Sequence, residues 1–149
     1  MFKKIKTICT IKHLNILAKE LVNKAKIGDV FLLKGELGVG KTTLARFLIN
    51  EFYRKHSLKI PKSIKSPSFP ILLTYDLNNF EIYHYDLYRV SKSSELIHLN
   101  IFEELNNSIT LVEWPETILD SLKNYNYYSI NFDIVDENTR TLKHNLIFN

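Results

Sequence analysis

Cys9 is the only cysteine in the 149 residues. A disulfide framework needs pairs, and structural zinc sites need cysteines or a cysteine–histidine set at short spacing, so both are excluded. The five histidines are scattered and offer no metal-ligand spacing. Long apolar runs are missing too, and none approaches the 18 residues of a membrane-spanning helix. The start, Met1-Phe2-Lys3-Lys4-Ile5-Lys6, is basic but leads into no apolar segment of the secretory kind. These absences make a cytoplasmic protein with no membrane partner the expectation. Glycine is scarce. Gly28, Gly35, Gly38 and Gly40 are all there is, where ordinary usage would supply about ten.

Three of the four glycines fall in one stretch, Gly35-Glu36-Leu37-Gly38-Val39-Gly40-Lys41-Thr42, with Thr43 following. It satisfies G-x-x-x-x-G-K-[ST] at every fixed position. Glycines let the backbone wrap a phosphate chain with successive N–H groups turned inward. A helix starting near Lys41 adds its positive end to the same site. Lys41 can reach β- and γ-phosphates, and the Thr42 hydroxyl can ligate Mg²⁺. The flanks agree. Val30-Phe31-Leu32-Leu33 is the continuous apolar run of a buried parallel strand. Leu44, Phe47, Leu48 and Phe52 recur at helical spacing. Strand, glycine loop and helix in this order read as a P-loop NTPase, with the nine residues from Gly35 to Thr43 as its nucleotide-binding set.

Composition is that of an ordinary globular domain, with 45% hydrophobic and 24% charged residues. A single domain over residues 1–149 is expected, large enough to bury roughly two-thirds of its unfolded surface. The net charge of +4 permits an anionic partner without requiring one. Residues 5–10 read as a strand and 13–25 as an amphipathic helix with Leu14, Leu17, Leu21 and Ala25 on one face. Gly28-Asp29 is a turn, and the helix after Lys41 is expected to end near Tyr53. Residues 54–65 carry Arg54, Lys55, Lys59, Lys62 and Lys65 around Pro61. They form a connector that is either a solvated loop, the simpler reading, or a contact for nucleic acid or an acidic partner. Ser66-Pro67-Ser68-Phe69-Pro70 is rigid and non-helical. Residues 71–75 and 81–86 form a hairpin around Asn78-Asn79. Residues 91–105 are helical in pieces, with Ser93 or Ser94 as N-cap. Ile109-Thr110-Leu111-Val112 is a second buried strand, 117–122 a short helix, and 127–134 and 141–148 two closing strands around Asp136-Glu137-Asn138.

A phosphate loop needs a carboxylate for Mg²⁺ at the end of a neighbouring strand. Glu113 follows its apolar run as such an acid does, though a surface acid at a strand end has the same pattern. In His84-Tyr85-Asp86-Leu87-Tyr88-Arg89, alternation points His84 and Asp86 the same way. Asp86 can orient an attacking water or hold a metal-bound one. Arg89 pairs with a phosphate, or with a carboxylate in a structural ion pair. For His84 a satisfied, half-buried structural histidine is the simpler reading, with a role at the site the alternative. Ser66 and Ser68 put hydroxyls on a stiff loop, an ordinary loop or a switch-like segment sensing the γ-phosphate. Trp114 is either core or an aromatic at a partner surface.

Four blocks together resemble the TsaE (YjeE) family, the small bacterial ATPases of tRNA threonylcarbamoyl-adenosine synthesis. They are the phosphate loop from Gly35 to Thr43, Lys65-Ser66-Pro67-Ser68-Phe69, His84-Tyr85-Asp86-Leu87-Tyr88-Arg89, and Glu113-Trp114-Pro115-Glu116. The resemblance implies an α/β P-loop NTPase fold, a three-layer sandwich with a mostly parallel central sheet plus antiparallel strands. It implies ATP and Mg²⁺ as ligands and TsaB and TsaD as partners, with tRNA met indirectly or by weak contact. TsaD transfers the threonylcarbamoyl group, and the family's ATP turnover resets that assembly. By position, Lys41 would bind phosphate and act in catalysis, Thr42 and Glu113 would serve Mg²⁺, and Asp86 would be the catalytic acid. Ser66 and Ser68 would lie in the switch-like loop, with His84, Arg89 and Trp114 as accessories. Two positions depart from the family pattern. Ser68 stands where threonine is usual and keeps the hydroxyl. Pro70 removes a ladder N–H, which delays the following strand. A small nucleoside- or nucleotide-type kinase is the rival reading, and a module holding nucleotide as a structural ligand is a second.

Overall fold

The computed structural model describes residues 5–8 and 10–147, with the side chains of residues 10–144. Residues 1–4, Cys9, Phe148 and Asn149 lie outside the described residues, and with them position 9 of the first expected strand and position 148 of the last. Among the described residues seven strands form one sheet: β1 (Ile5–Ile8), β2 (Val30–Lys34), β3 (Leu72–Asp76), β4 (Glu81–Asp86), β5 (Ser108–Glu113), β6 (Tyr127–Ile134) and β7 (Arg140–Ile147). Their spatial order is β1-β7-β6-β2-β5-β4-β3. The four central strands, β6, β2, β5 and β4, run parallel, and β7, β1 and β3 add antiparallel edges. The glycine-loop strand β2 is thus the middle of the sheet.

Continuous apolar strands are buried on both faces, and β2 shows how. Phe31 and Leu33 point toward α1 (Ile11–Lys24) and α2 (Lys41–Lys55). There Leu14, Leu17, Leu44, Leu48 and Phe52 complete the larger core. The Phe31 ring stacks on Tyr128 at 4.6 Å and meets Phe52 edge-on at 6.3 Å. Val30 and Leu32 face the other way, against Leu96, Ile101, Leu105, Ile118 and Leu122. Those residues come from 3₁₀ segments, the turn at Ile118 and the one-turn α3 (Ile101–Glu104), so the third layer is built of short pieces. Each fully buried side chain of this size contributes about 1.5–3 kcal/mol. No helix of the described residues is long and apolar enough to cross a membrane.

Several element ends differ from the sequence reading, each for a local reason. β1 is described over Ile5–Ile8, and Thr10, expected in that strand, is instead the N-cap of α1, its hydroxyl accepting the His13 N–H at 3.2 Å. The helix therefore starts at Ile11, ahead of His13. α2 continues past Tyr53 to Lys55, whose ammonium donates to the Val22 carbonyl at 2.8 Å, while Arg54 pairs with Glu51. The connector that follows is solvated at Lys59, Lys62 and Lys65, yet Leu58, Ile60 and Ile64 anchor it to the core. Neither Ser93 nor Ser94 is an N-cap. That place falls to Lys92, because the Glu95 carboxylate reaches back to the Lys92 N–H at 3.0 Å. The short helix expected at 117–122 is two 3₁₀ segments, Pro115–Thr117 and Leu119–Leu122. β3 begins at Leu72, two residues after Pro70, as the missing N–H requires.

Candidate functional site

The phosphate loop leaves β2 at Lys34 and enters α2 at Lys41. Gly35 cannot be replaced without movement. A Cβ there would lie 2.9 Å from both the Phe132 carbonyl oxygen and Val39 Cγ1, at a φ of 147°. Gly40 caps α2 in the left-handed region, at φ 117°. The free N–H groups of the first turn of α2 and those of the loop make an anion cradle. Lys41 is buried beneath it. Its ammonium donates to the Gly35 carbonyl at 2.7 Å and the Glu36 carbonyl at 2.8 Å, and sits 4.0 Å over the Trp114 ring. Burial pushes the Lys41 pKa down, and the carboxylates of Glu113, Asp86 and Glu116 partly oppose that shift.

Parallel register brings the acids to the same level. Leu33 lies opposite Glu113, and Glu113 opposite Asp86, so the ends of β2, β5 and β4 are flush. Thr42 Oγ1 donates to Glu113 Oε2 at 2.8 Å, and His84 Nε2 donates to Glu113 Oε1 at 2.9 Å. Asp86 is buried and holds two donors, the Ser68 hydroxyl on Oδ2 and the Tyr88 N–H on Oδ1, each at 3.0 Å. Ser66 Oγ lies 2.6 Å from Ser68 Oγ. The loop carrying these serines folds back through Ile71, which adopts φ 68°, a strained conformation for a β-branched residue. Asp86 N–H donates to the Ile71 carbonyl, and Arg89 ties the loop down by donating to the carbonyls of Ser68 and Phe69.

Lys41, Thr42, Ser68, Asp86, Glu113 and Trp114 converge on a cleft of about 180 Å³, with Leu37, Gly38, Gly40 and Thr43 completing its wall. Gly35 and Glu36 border an adjoining groove of about 610 Å³, which Trp114 also lines. Val39 turns into the core instead. Two side chains behave differently from their sequence readings. His84 is fully buried rather than half-buried, behind Glu113. Arg89 pairs with no carboxylate among the described residues; its guanidinium spans the Ser68 and Phe69 carbonyls, which the Ile71 turn brings within reach. Two features had no sequence signal beyond adjacency to an acid. Trp114, at φ 56°, covers the Lys41 ammonium, and the exposed Tyr88 ring packs on Trp114 at 4.8 Å.

The donors at Glu113 and Thr42 are hard oxygens, the kind that suits a small divalent cation such as Mg²⁺. Among the described residues no group of three or more His, Cys, Asp or Glu forms a protein-only metal site. A cation here would take few protein donors and complete its shell with phosphate and water, the usual pattern for Mg²⁺ beside a nucleotide.

The family described as threonylcarbamoyl adenosine biosynthesis protein TsaE matches residues 9–142. The chain belongs to the TsaE family. All four sequence blocks lie inside the match. A TsaE protein of Rickettsia felis is 40% identical over 124 residues, covering 83% of this chain and 69% of its own length. One of Rickettsia typhi is 36% identical over 145 residues, covering 95% of this chain and 96% of its own. Both carry the name tRNA threonylcarbamoyladenosine biosynthesis protein TsaE. The crystal structure of YdiB from Bacillus subtilis superposes with a TM-score of 0.68 at 26% identity, covering 99% of this chain and 88% of that one. The α/β P-loop architecture expected of a TsaE member is therefore the observed one.

Proposed function

We propose that the chain is an Mg²⁺-dependent ATPase serving the threonylcarbamoyl-adenosine modification of tRNA, acting on a TsaB–TsaD transferase assembly in the cytoplasm. The shared name of the relatives supports the pathway. The observation that carries the catalytic reading is the convergence of Lys41, Thr42, Glu113 and Asp86 on one small cleft at the mouth of the phosphate loop.

Each residue has a task that follows from its place. The loop N–H groups and the start of α2 receive the phosphate chain of ATP. Lys41 exchanges its two carbonyl partners for β- and γ-phosphate oxygens. Thr42 and Glu113 hold the metal. Mg²⁺, when bound, neutralises charge on the β- and γ-phosphates. Asp86, fixed by Ser68 and Tyr88, uses its remaining lone pairs to orient a water toward the γ-phosphorus. The new P–O bond forms as the bond to the ADP oxygen breaks, the water's proton passes to the departing phosphate, and ADP and phosphate leave. Among the described residues no arginine lines the cleft, and Arg89 is engaged on the loop. An arginine supplied in trans is worth about 10³–10⁵ in rate, so slow turnover alone and acceleration by partners are expected. tRNA is reached indirectly, through the assembly, or by weak contact.

The test is phosphate release from Mg-ATP by the protein alone, then with TsaB, TsaD and tRNA, each repeated with Asp86→Asn. Low activity that rises with the partners and vanishes in Asp86→Asn, with nucleotide binding intact, is the expected result. Fast hydrolysis without partners contradicts the reading. Absence of any partner response shifts the choice to a small-molecule kinase, and an acceptor screen decides it.

A further inference from the structure

We propose that His84 is a positioning residue for Glu113: it holds the carboxylate by Oε1 so that Oε2 is presented to Thr42 and the metal position. This rests on the reading of Glu113 as an Mg²⁺ ligand. The geometry is specific. His84 and Glu113 are 0% and 2% exposed, and their contact of 2.9 Å joins neighbouring parallel strands across 29 residues of sequence. His84 pairs with Leu111 in the register, so its ring leans along the sheet to reach the next same-face side chain of β5.

A purely structural role explains this pair poorly. Replacing a buried polar pair by apolar side chains of similar volume is often neutral or stabilising, so burial alone gives no reason to keep it. A buried histidine held for packing also satisfies both ring nitrogens as a rule. Among the described residues Nδ1 has no hydrogen-bond partner, and the polar contact of the ring is the Glu113 carboxylate. An ionised carboxylate only accepts, so Nε2 carries the hydrogen of this contact. The two oxygens of Glu113 are then divided: Oε1 faces the buried His84 ring and Oε2 the cleft side, where Thr42 waits. His84 does not line the cleft, so its influence on any ligand passes through Glu113. Carboxylates that serve metals are commonly held by such outer partners, whose loss lowers metal affinity about 10- to 100-fold.

Three substitutions separate positioning from packing. In His84→Gln the amide nitrogen reaches about as far as Nε2 and keeps the donor. In His84→Asn the amide stops near the Nδ1 position and cannot reach Glu113, and His84→Leu keeps bulk without a donor. The measurement is binding of a fluorescent ADP analogue at increasing Mg²⁺, with folding checked by thermal melting. The Mg²⁺ concentration giving half of the affinity gain should rise about tenfold or more in His84→Asn and His84→Leu. It should stay near wild type in His84→Gln, and Mg²⁺-free affinity should change less than about twofold in all three. Should the leucine variant not fold, the Asn–Gln pair decides alone, because the two differ only in reach. An unchanged Mg²⁺ requirement in His84→Asn overturns the proposal, as does an equal loss in Asn and Gln variants. Glu113→Gln run alongside separates the failures. Mg²⁺ dependence that survives there overturns the metal reading of Glu113 and the role of His84 with it. Dependence lost there but kept in His84→Asn overturns the role of His84 alone.

Discussion

Lys41→Ala is the most direct perturbation of the cleft, and the structure sets its size. A charge-assisted contact to phosphate is worth about 1.5–3 kcal/mol. The Lys41 ammonium does not start free, however. It leaves two carbonyl partners, at 2.7 and 2.8 Å, before it can meet a phosphate. The alanine variant is spared that exchange, so the net loss belongs near the middle of the range, about 2 kcal/mol. That is roughly 30-fold in affinity for ATP. The same two bonds and the 4.0 Å contact with Trp114 tie the loop to β5, so the free protein should also melt lower. Lys41→Arg should not restore binding, because a longer planar guanidinium cannot occupy the space between loop carbonyls and indole. Calorimetric titration of Mg-ATP and Mg-ADP, paired with thermal melts, reads both effects. An ATP dissociation constant within threefold of wild type would refute the assignment of Lys41 to the phosphates, whatever the melts show.

Gly35→Ala should destabilise the fold by about 1–3 kcal/mol, since the new methyl meets the Phe132 backbone and Val39 at 2.9 Å. At about 2–4 °C per kcal/mol for a chain of this size, calorimetry resolves it. Gly38→Ala, with nothing within 4 Å of its Cβ, should lose less, and equal losses would contradict the packing argument. His144 tests the electrostatics of the far edge. Burial pushes its pKa below 6.5, with Glu20 opposing the shift and Lys24 adding to it. The unfolded chain therefore binds the proton more readily, and stability should fall as pH drops from about 6.5 toward the lowered value. Urea melts across that window should show a shallower slope in His144→Gln, and an unchanged slope would assign the effect to other groups.

What could be read beforehand was whatever depends on near neighbours in sequence. The phosphate loop, the buried run of β2 and the acid closing β5 are short patterns with a mechanism attached, and the structure assembles them as expected. The pairing of β4 with β5 is different. Nothing local states that His84 will lie beside Glu113, because the contact depends on parallel register set by the whole sheet. Arg89 could not be read for a related reason. Its carbonyl partners exist only because Ile71 turns left-handed, a conformation its β-branched side chain argues against. At Ser93 and Ser94 the propensity for capping was sound, but the Glu95 carboxylate takes the Lys92 N–H, so the cap falls one residue earlier. Thr10 was likewise hidden, since a residue ending a strand and one beginning a helix share extended dihedrals.

Trp114 is the sole tryptophan of the chain. Indole emission from this protein therefore comes from one ring, and that ring lies against the Lys41 ammonium and the Tyr88 phenol. The protein carries an optical probe at the rim of its own cleft, with no label to attach, and excitation at the red edge of the indole band leaves its eight tyrosines dark. A ligand that draws the ammonium away from the indole alters the quenching of the entire spectrum, so occupancy becomes a quantity visible in unmodified protein at low concentration.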